Sequence, residues 1–411
     1  MAATESVRVC AVAAKAAAGS VGRASAETID SALRGIADRL VTARDVVLKA
    51  NEEDLAAAEA AGLPAAMRDR LRLGEDRLDG MSHQLHTLAG VPHPQWRKVV
   101  RELPGAVVQE LRRPVGVVGA NFEARPNVVV DVASQLLKSR NAGVLRTGSA
   151  AIGSAAALVD SVVAPALAAA GLDPDAIQLV RQPGRETARA LVSLPGLIPL
   201  VILRGSGAST HELSMAAAAH GVRTLAHADG GGVLYVHRSA DRERVLRLVE
   251  EGLDRLGVCN RLNLLLVDQA VWDVLLPGVL AVLDRLGVAA SRPPHPHPLG
   301  HEWALDEGHE ATVTLAPVSG PVAAARLAEE ETSGLAATVV AEDEAAASEF
   351  LAAYGGTGAF WNVSTRLLDG FKLLGIPETG INVDRVPGPR GPVTFTDLYL
   401  RQFVVTPRPA G

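Results

Sequence analysis

The chain holds two cysteines, and they stand in opposite kinds of surroundings. Cys259 lies in Val258-Cys259-Asn260, between a helix-like stretch and the apolar run from Leu262 to Val267, so an element boundary presents its thiol at a junction. A thiolate placed there can attack a carbonyl carbon, while a helix terminus or nearby backbone amides lower its pKa and hold the oxyanion that forms. A buried packing thiol is the alternative that position alone leaves open. Cys10, flanked by Val9, Ala11 and Val12 on an alanine-rich helical pattern, reads as packing. The turn Arg204-Gly205-Ser206-Gly207 follows an apolar run and suits a phosphate cradle made of backbone amides and a helix start, although a plain turn has the same composition. His295, His297 and His301 are interleaved with proline and lack Cys or carboxylate partners at ligand spacing, so they read as a solvated loop without a metal.

These groups need elements to position them. Ala26, Ile29, Leu33, Ile36, Leu40, Ala43 and Val47 recur at helical spacing, and residues 6–61 therefore predict two or three amphipathic helices, with a further helical region to about Gly90. From Trp96 to Arg113 the pattern alternates about Leu103-Pro104-Gly105, as a hairpin does. Pro114 to Ala120 then opens an alternation of short apolar runs and helical stretches: a helix over 127–140, a strand over 142–146, a helix over 151–170, a strand over 177–180, a helix over 185–192 and a strand over 197–203. That order predicts a doubly wound α/β sheet. A second α/β unit follows, with strands at 233–236 and 262–267 and helices at 241–256, 270–286 and 342–353. The segment 388–405 reads as a β-rich extension.

At 411 residues the chain exceeds what one core organises, so two to three domains are expected. A net charge of -6 argues against a protein that neutralises a nucleic-acid backbone. No uninterrupted run of eighteen apolar residues occurs, and Arg8 and Lys15 interrupt the N-terminal alanines, which excludes a signal-peptide pattern there. Two distant cysteines make no disulfide framework and fit a reducing, cytoplasmic setting.

Pro114-Val-Gly-Val-Val-Gly-Ala-Asn-Phe-Glu-Ala-Arg-Pro-Asn-Val-Val-Val-Asp131, continuing through Leu137-Lys-Ser-Arg-Asn-Ala-Gly-Val-Leu-Arg146, resembles the gamma-glutamyl phosphate reductase family of the aldehyde dehydrogenase superfamily. Asn51-Glu-Glu-Asp-Leu through Met67-Arg-Asp-Arg-Leu, Val258-Cys-Asn260, Asn362-Val-Ser-Thr-Arg-Leu-Leu-Asp-Gly370 and Arg390-Gly-Pro392 resemble it in the same order. The resemblance implies a nucleotide-binding domain of residues 1–96 and 114–232, a catalytic domain of 233–386, and a β oligomerisation flap of 97–113 and 387–411. It implies NADPH-dependent reduction of L-glutamyl 5-phosphate to the 5-semialdehyde in proline synthesis, with NAD(H) not excluded. Cys259 would carry the acyl group as a thioester, with Asn127 or Asn121 completing the oxyanion site. Arg125, Asn260, Ser364, Thr365 and Arg366 would hold substrate, and Lys138, Arg146, Gly148, Ser149 and the Arg204, Gly205, Ser206, Gly207 turn would hold the cofactor. A homo-oligomer, dimer or tetramer, is implied, and a glutamate kinase is a candidate partner.

This chain departs from the family pattern at Thr147-Gly-Ser149, His227-Ala-Asp-Gly-Gly231, Ser333-Gly-Leu-Ala-Ala337 and Thr394-Phe-Thr396. Two other readings follow from those departures: a paralogue that reduces another activated acyl group or oxidises an aldehyde, and an inactive subunit that only binds a partner.

Overall fold

The computed structural model describes residues 3–123, 125–227, 230–306, 308–385 and 388–408. Ala124 and the centre of the His227 to Gly230 stretch, as well as the expected boundary at 386 and 387, lie outside the described residues. The chain opens with five helices: α1 (Ala3–Arg23), α2 (Ala26–Thr42), α3 (Arg44–Ala60), α4 (Ala65–Leu71) and α5 (Glu75–Gly90). Ser25 starts α2 because its hydroxyl accepts from the Thr28 N–H at 3.0 Å. The stripe Ile29, Leu33, Ile36 and Leu40 is then wholly buried, each side chain contributing about 2 kcal/mol of apolar burial.

A three-stranded antiparallel sheet follows in chain order with β1 (Arg97–Leu103) and β2 (Ala106–Pro114), joined by a turn in which Gly105 takes φ +76. The next strands, β3 (Val117–Phe122), β4 (Ala142–Thr147), β5 (Ile177–Leu179), β6 (Leu200–Arg204) and β7 (Arg223–His227), form a parallel sheet in the order β5-β4-β3-β6-β7. Strand order reverses between β3 and β6, so the crevice beyond their carboxyl ends is the place where such a sheet binds a ligand. Helix α6 (Asn127–Lys138) starts at that edge and runs back along the sheet.

The helical run 149–169 is long and apolar enough to cross a bilayer, yet half of it is buried here, and it packs against α2 and α3. Its middle, Leu158–Val163, widens to π-helix just before Pro165, whose ring cannot accept the regular i−4 geometry.

The next strand in the chain is β8 (Gly232–Val236). With β9 (Leu262–Asp268), β10 (Ala289–Ser291), β11 (Thr312–Val318), β12 (Ala336–Val340) and β13 (Gly358–Trp361) this strand builds a six-stranded parallel sheet in the order β10-β11-β9-β8-β12-β13. The amino edge of the second sheet faces the carboxyl edge of the first: Cys259, just before β9, borders the same cavities as Arg204 and His227 at the ends of β6 and β7. A short hairpin, β14 (Gly380–Asn382) with β15 (Gly391–Val393), packs against β6 and β7 and closes one side of the gap. The last strand, β16 (Tyr399–Pro407), returns to pair with β2 along its whole length.

Candidate active site

Cys259 stands in the turn before β9, at the meeting of two cavities. The helix expected over 241–256 stops at Gly252, and residues 253–261 are turns, so the thiol sits in a loop that other groups must hold. Asn260 does much of this. Its carbonyl accepts from the Thr365 hydroxyl at 3.0 Å, its Nδ2 donates to the Leu368 carbonyl at 3.0 Å, and its Oδ1 accepts from the Arg366 guanidinium. Arg261, fully buried, donates to the carbonyls of Glu310 and Thr312 and so ties the loop to β11. Burial depresses its pKa to about 10, which leaves it cationic at neutral pH. On the other side the Cys259 carbonyl accepts from Gly231 N–H at 2.7 Å, the Gly230 N–H donates to Glu302 at 2.6 Å, and the Ser333 hydroxyl donates to the Gly230 carbonyl at 3.0 Å. The departure at Ser333 is thus a brace under the loop that touches the nucleophile.

The larger cavity, about 490 Å³, is lined by Cys259, Asn260, Asn127, Arg125 and Arg366 from the expected set. It is also lined by Arg70 of α4, Asp131 of α6, Arg204, His227 and Glu378, none of which was expected on the substrate side. The smaller, about 70 Å³, runs from Phe122, Glu123, Gly205 and Ser206 at the β3/β6 crevice to Cys259. Arg70, Arg125, Arg204, His227 and Val258 border both cavities.

Charges of both signs surround the thiol. Burial pushes the Cys259 thiol up from its ordinary value, and Arg125 and Arg204 oppose that rise while Glu302 and Glu378 add to it. Arg125 is brought down to about 10, first by burial and then by repulsion from Arg204 and Arg70. The Arg70 Nε is buried without a hydrogen-bond partner. His227, its Nδ1 accepting from Ile381 N–H at 2.9 Å, is held neutral with a pKa of about 3 by burial and by those arginines.

Several expectations need correction. Asn121 does not line either cavity. On a strand of period two, Phe122 faces the small cavity and Asn121 the opposite side, where its Oδ1 accepts from Arg146 at 3.1 Å. Ser364 and Thr365 are buried and do not reach the cleft: Ser364 caps the turn of Arg366 and Thr365 holds Asn260. Lys138 is fully buried at the far end of α6, its Nζ donating to Asp30 at 2.6 Å, which puts it at the amino edge of the sheet, away from any cofactor. Arg146 is fastened to Asn121, and to Gly184 at 2.7 Å. The Arg204-Gly-Ser-Gly turn is not an open phosphate cradle, because the Ser206 N–H donates to the Glu123 carboxylate at 2.9 Å and an anion there would meet like charge. Gly148 and exposed Ser149 do stand at the carboxyl end of β4, within the edge that suits a dinucleotide. Thr394 to Thr396 is a docking turn, with Phe395 N–H bonded to Gln135 at 2.7 Å.

Comparison with known proteins agrees with this layout. The aldehyde dehydrogenase family model matches residues 1–297. A gamma-glutamyl phosphate reductase of Chloroflexus aggregans is 35% identical over 95% of this chain and 96% of its own. The solved gamma-glutamyl phosphate reductase of Thermotoga maritima superposes with a TM-score of 0.86 at 25% identity, over 98% of this chain and 99% of that one. An acetylating aldehyde dehydrogenase of Geobacillus thermoglucosidasius shares the fold, with a TM-score of 0.74 at 16% identity over 100% of this chain and 98% of its own. The chain belongs to the aldehyde dehydrogenase family, an oxidoreductase family that uses a nicotinamide cofactor. Within it, the chain belongs with the gamma-glutamyl phosphate reductases.

Proposed function

We propose that the chain reduces L-glutamyl 5-phosphate to L-glutamate 5-semialdehyde with release of phosphate, a step of proline synthesis, taking hydride from NADPH. The observation that carries this reading is the convergence of Arg70, Arg125 and Arg204 on Cys259, a cluster whose mutual repulsion an anionic phosphoryl group would relieve. Cys259 Sγ attacks the acyl carbon, the bond to the phosphate oxygen breaks, and orthophosphate departs against the guanidinium groups, leaving an acyl thioester. Asn127 Nδ2 and the Cys259 main-chain N–H are the donors suited to the tetrahedral oxyanion. A nicotinamide cofactor held at the carboxyl edge of the first sheet, where Gly148 and Ser149 stand, would supply the hydride that takes the thioester to the aldehyde level. Cleavage of the C–S bond then frees the semialdehyde and returns the thiolate beside Arg125 and Arg204. Arg366, anchored by Asp254 at 2.7 Å, faces the cleft as a further anion partner.

The exposed apolar side chains Val99, Leu400, Phe403 and Val405 on the three-stranded sheet suit assembly with further copies of the chain. Two unpaired cysteines suit a reducing cytoplasm. The test is the reverse reaction: NADPH absorbance from NADP and pyrroline-5-carboxylate, the cyclised semialdehyde, in phosphate buffer with Cys259→Ala as control. Signal that needs both phosphate and the cysteine is expected. Its absence from folded protein that binds NADP would overturn the glutamyl phosphate assignment.

A further inference from the structure

We propose that Asp131 and Glu378 bind the α-ammonium of the substrate, so that the cleft selects acyl phosphates of α-amino acids over simple acyl phosphates. This rests on the reading that an acyl phosphate reacts at Cys259. An all-anionic ligand would be served by the arginines alone, yet the same cleft contains the carboxyl groups of Asp131, Asp369 and Glu378. Burying carboxylates where anions bind is unfavourable unless the ligand also brings a cation.

The two proposed groups come from distant elements and are seated deliberately. Asp131 lies one helical turn beyond Asn127, so both project from the same face of α6, and Asn127 Nδ2 donates to Asp131 Oδ2 at 3.0 Å. Glu378 Oε2 accepts from the Gly370 N–H at 3.0 Å. A Cβ on Gly370 would stand 2.4 Å from that oxygen, so the carboxylate occupies room that the missing side chain leaves. The groups feel one another. Burial first, then repulsion from Glu378 and Asp369, raises the pKa of Asp131 to about 7, with Arg204 opposing. Glu378 is raised by burial and by Asp369, again opposed by Arg204. An incoming ammonium would relieve this repulsion and keep both groups ionised.

Placement fits the ligand. Glu378 and Cys259 line the same cavity. In a glutamyl phosphate the α-carbon is three carbon–carbon bonds beyond the reacting carbonyl carbon, so its ammonium must lie just past the nucleophile. Asn127 would then serve twice, orienting Asp131 and facing the oxyanion.

The experiment compares phosphate-dependent oxidation of glutamate semialdehyde with that of glutarate semialdehyde, which lacks only the amine, in wild type, Asp131→Asn and Glu378→Gln. Wild type is expected to favour the amine-bearing substrate in kcat/KM, and each variant to lose roughly tenfold or more of that preference. Because Asp131→Asn can also disturb Asn127, protection of Cys259 from alkylation by L-glutamate and by glutarate supplies a binding readout without turnover. There too the ratio of protecting concentrations should collapse in both variants. A preference and a protection ratio that stay unchanged in both variants would overturn this proposal alone. Wild type that oxidises neither substrate would overturn the acyl phosphate reading and this proposal with it.

Discussion

A Cβ built on Gly230 would stand 2.6 Å from the Cα of Cys259 and 2.3 Å from its carbonyl oxygen, so the crossover between the two sheets touches the nucleophile backbone to backbone. No rotation of a side chain can relieve that contact. Gly230→Ala must push the Cys259 loop away from the cavity junction, and a shift of the order of an ångström in a reacting group costs about 100-fold in rate. Steady-state kinetics should therefore show a loss of about that size in kcat/KM, with circular dichroism unchanged. Activity within a few-fold of wild type would mean that the loop can be displaced without consequence.

The contact also shows where sequence reasoning ends. Strand and helix alternation, the hairpin about Gly105 and the junction position of Cys259 are local patterns, and each is present in the fold nearly as read. Arg70, Asp131, Arg204, His227 and Glu378 come from five separate segments and meet only when the two sheets face each other, so no local pattern shows that they share one cavity. Asp131 stood in the same motif as Asn127 and one turn away from it, a signal that helical periodicity supplies once Asn127 is placed. Lys138 misled for the complementary reason. The motif that carries Asn127 runs on through Lys138, but 11 residues of helix separate the two by roughly 17 Å, which takes the lysine to the opposite edge of the sheet.

Burial pushes the half-buried Cys259 thiol up from its ordinary value, and Arg125 and Arg204 restrain that rise. The alkylation rate of Cys259 should still climb with pH past the range in which an exposed thiol levels off. Arg125→Gln should move the profile further up, since a neighbouring cation that favours the thiolate has been removed. A plateau already reached at neutral pH, or an Arg125→Gln profile that moves down, would contradict this electrostatic picture.

Arg70 lies outside both sheets, on α4, yet its guanidinium borders both cavities and its buried Nε has no partner. If it receives phosphate, Arg70→Gln should raise KM for inorganic phosphate in the reverse reaction by about tenfold, a charge-assisted bond being lost, with a smaller change in kcat. An unchanged KM for phosphate would leave Arg70 with only a packing role.

Lys138 offers the sharpest contrast between a binding and a structural cation. Its Nζ donates to Asp30 Oδ1, and the same oxygen is 2.9 Å from His93 Nε2. His93 is held below its ordinary pKa, chiefly by burial, with the Lys138 charge contributing and Asp30 opposing. Lys138→Met removes the ammonium and leaves the Asp30 carboxylate with a neutral imidazole, a loss of about 3 kcal/mol in folding stability at alkaline pH. Without the Lys138 charge the pKa of His93 rises, and a protonated His93 can replace the lysine as partner of Asp30. Relative to wild type, the folded variant then binds more protons as pH falls, and that extra uptake restores part of the lost stability. The destabilisation of Lys138→Met, read by urea melts, should therefore shrink toward acid pH, as His93 takes up its proton beside Asp30. KM for the nicotinamide cofactor should not move, and an increase of about tenfold would return Lys138 to the cofactor site.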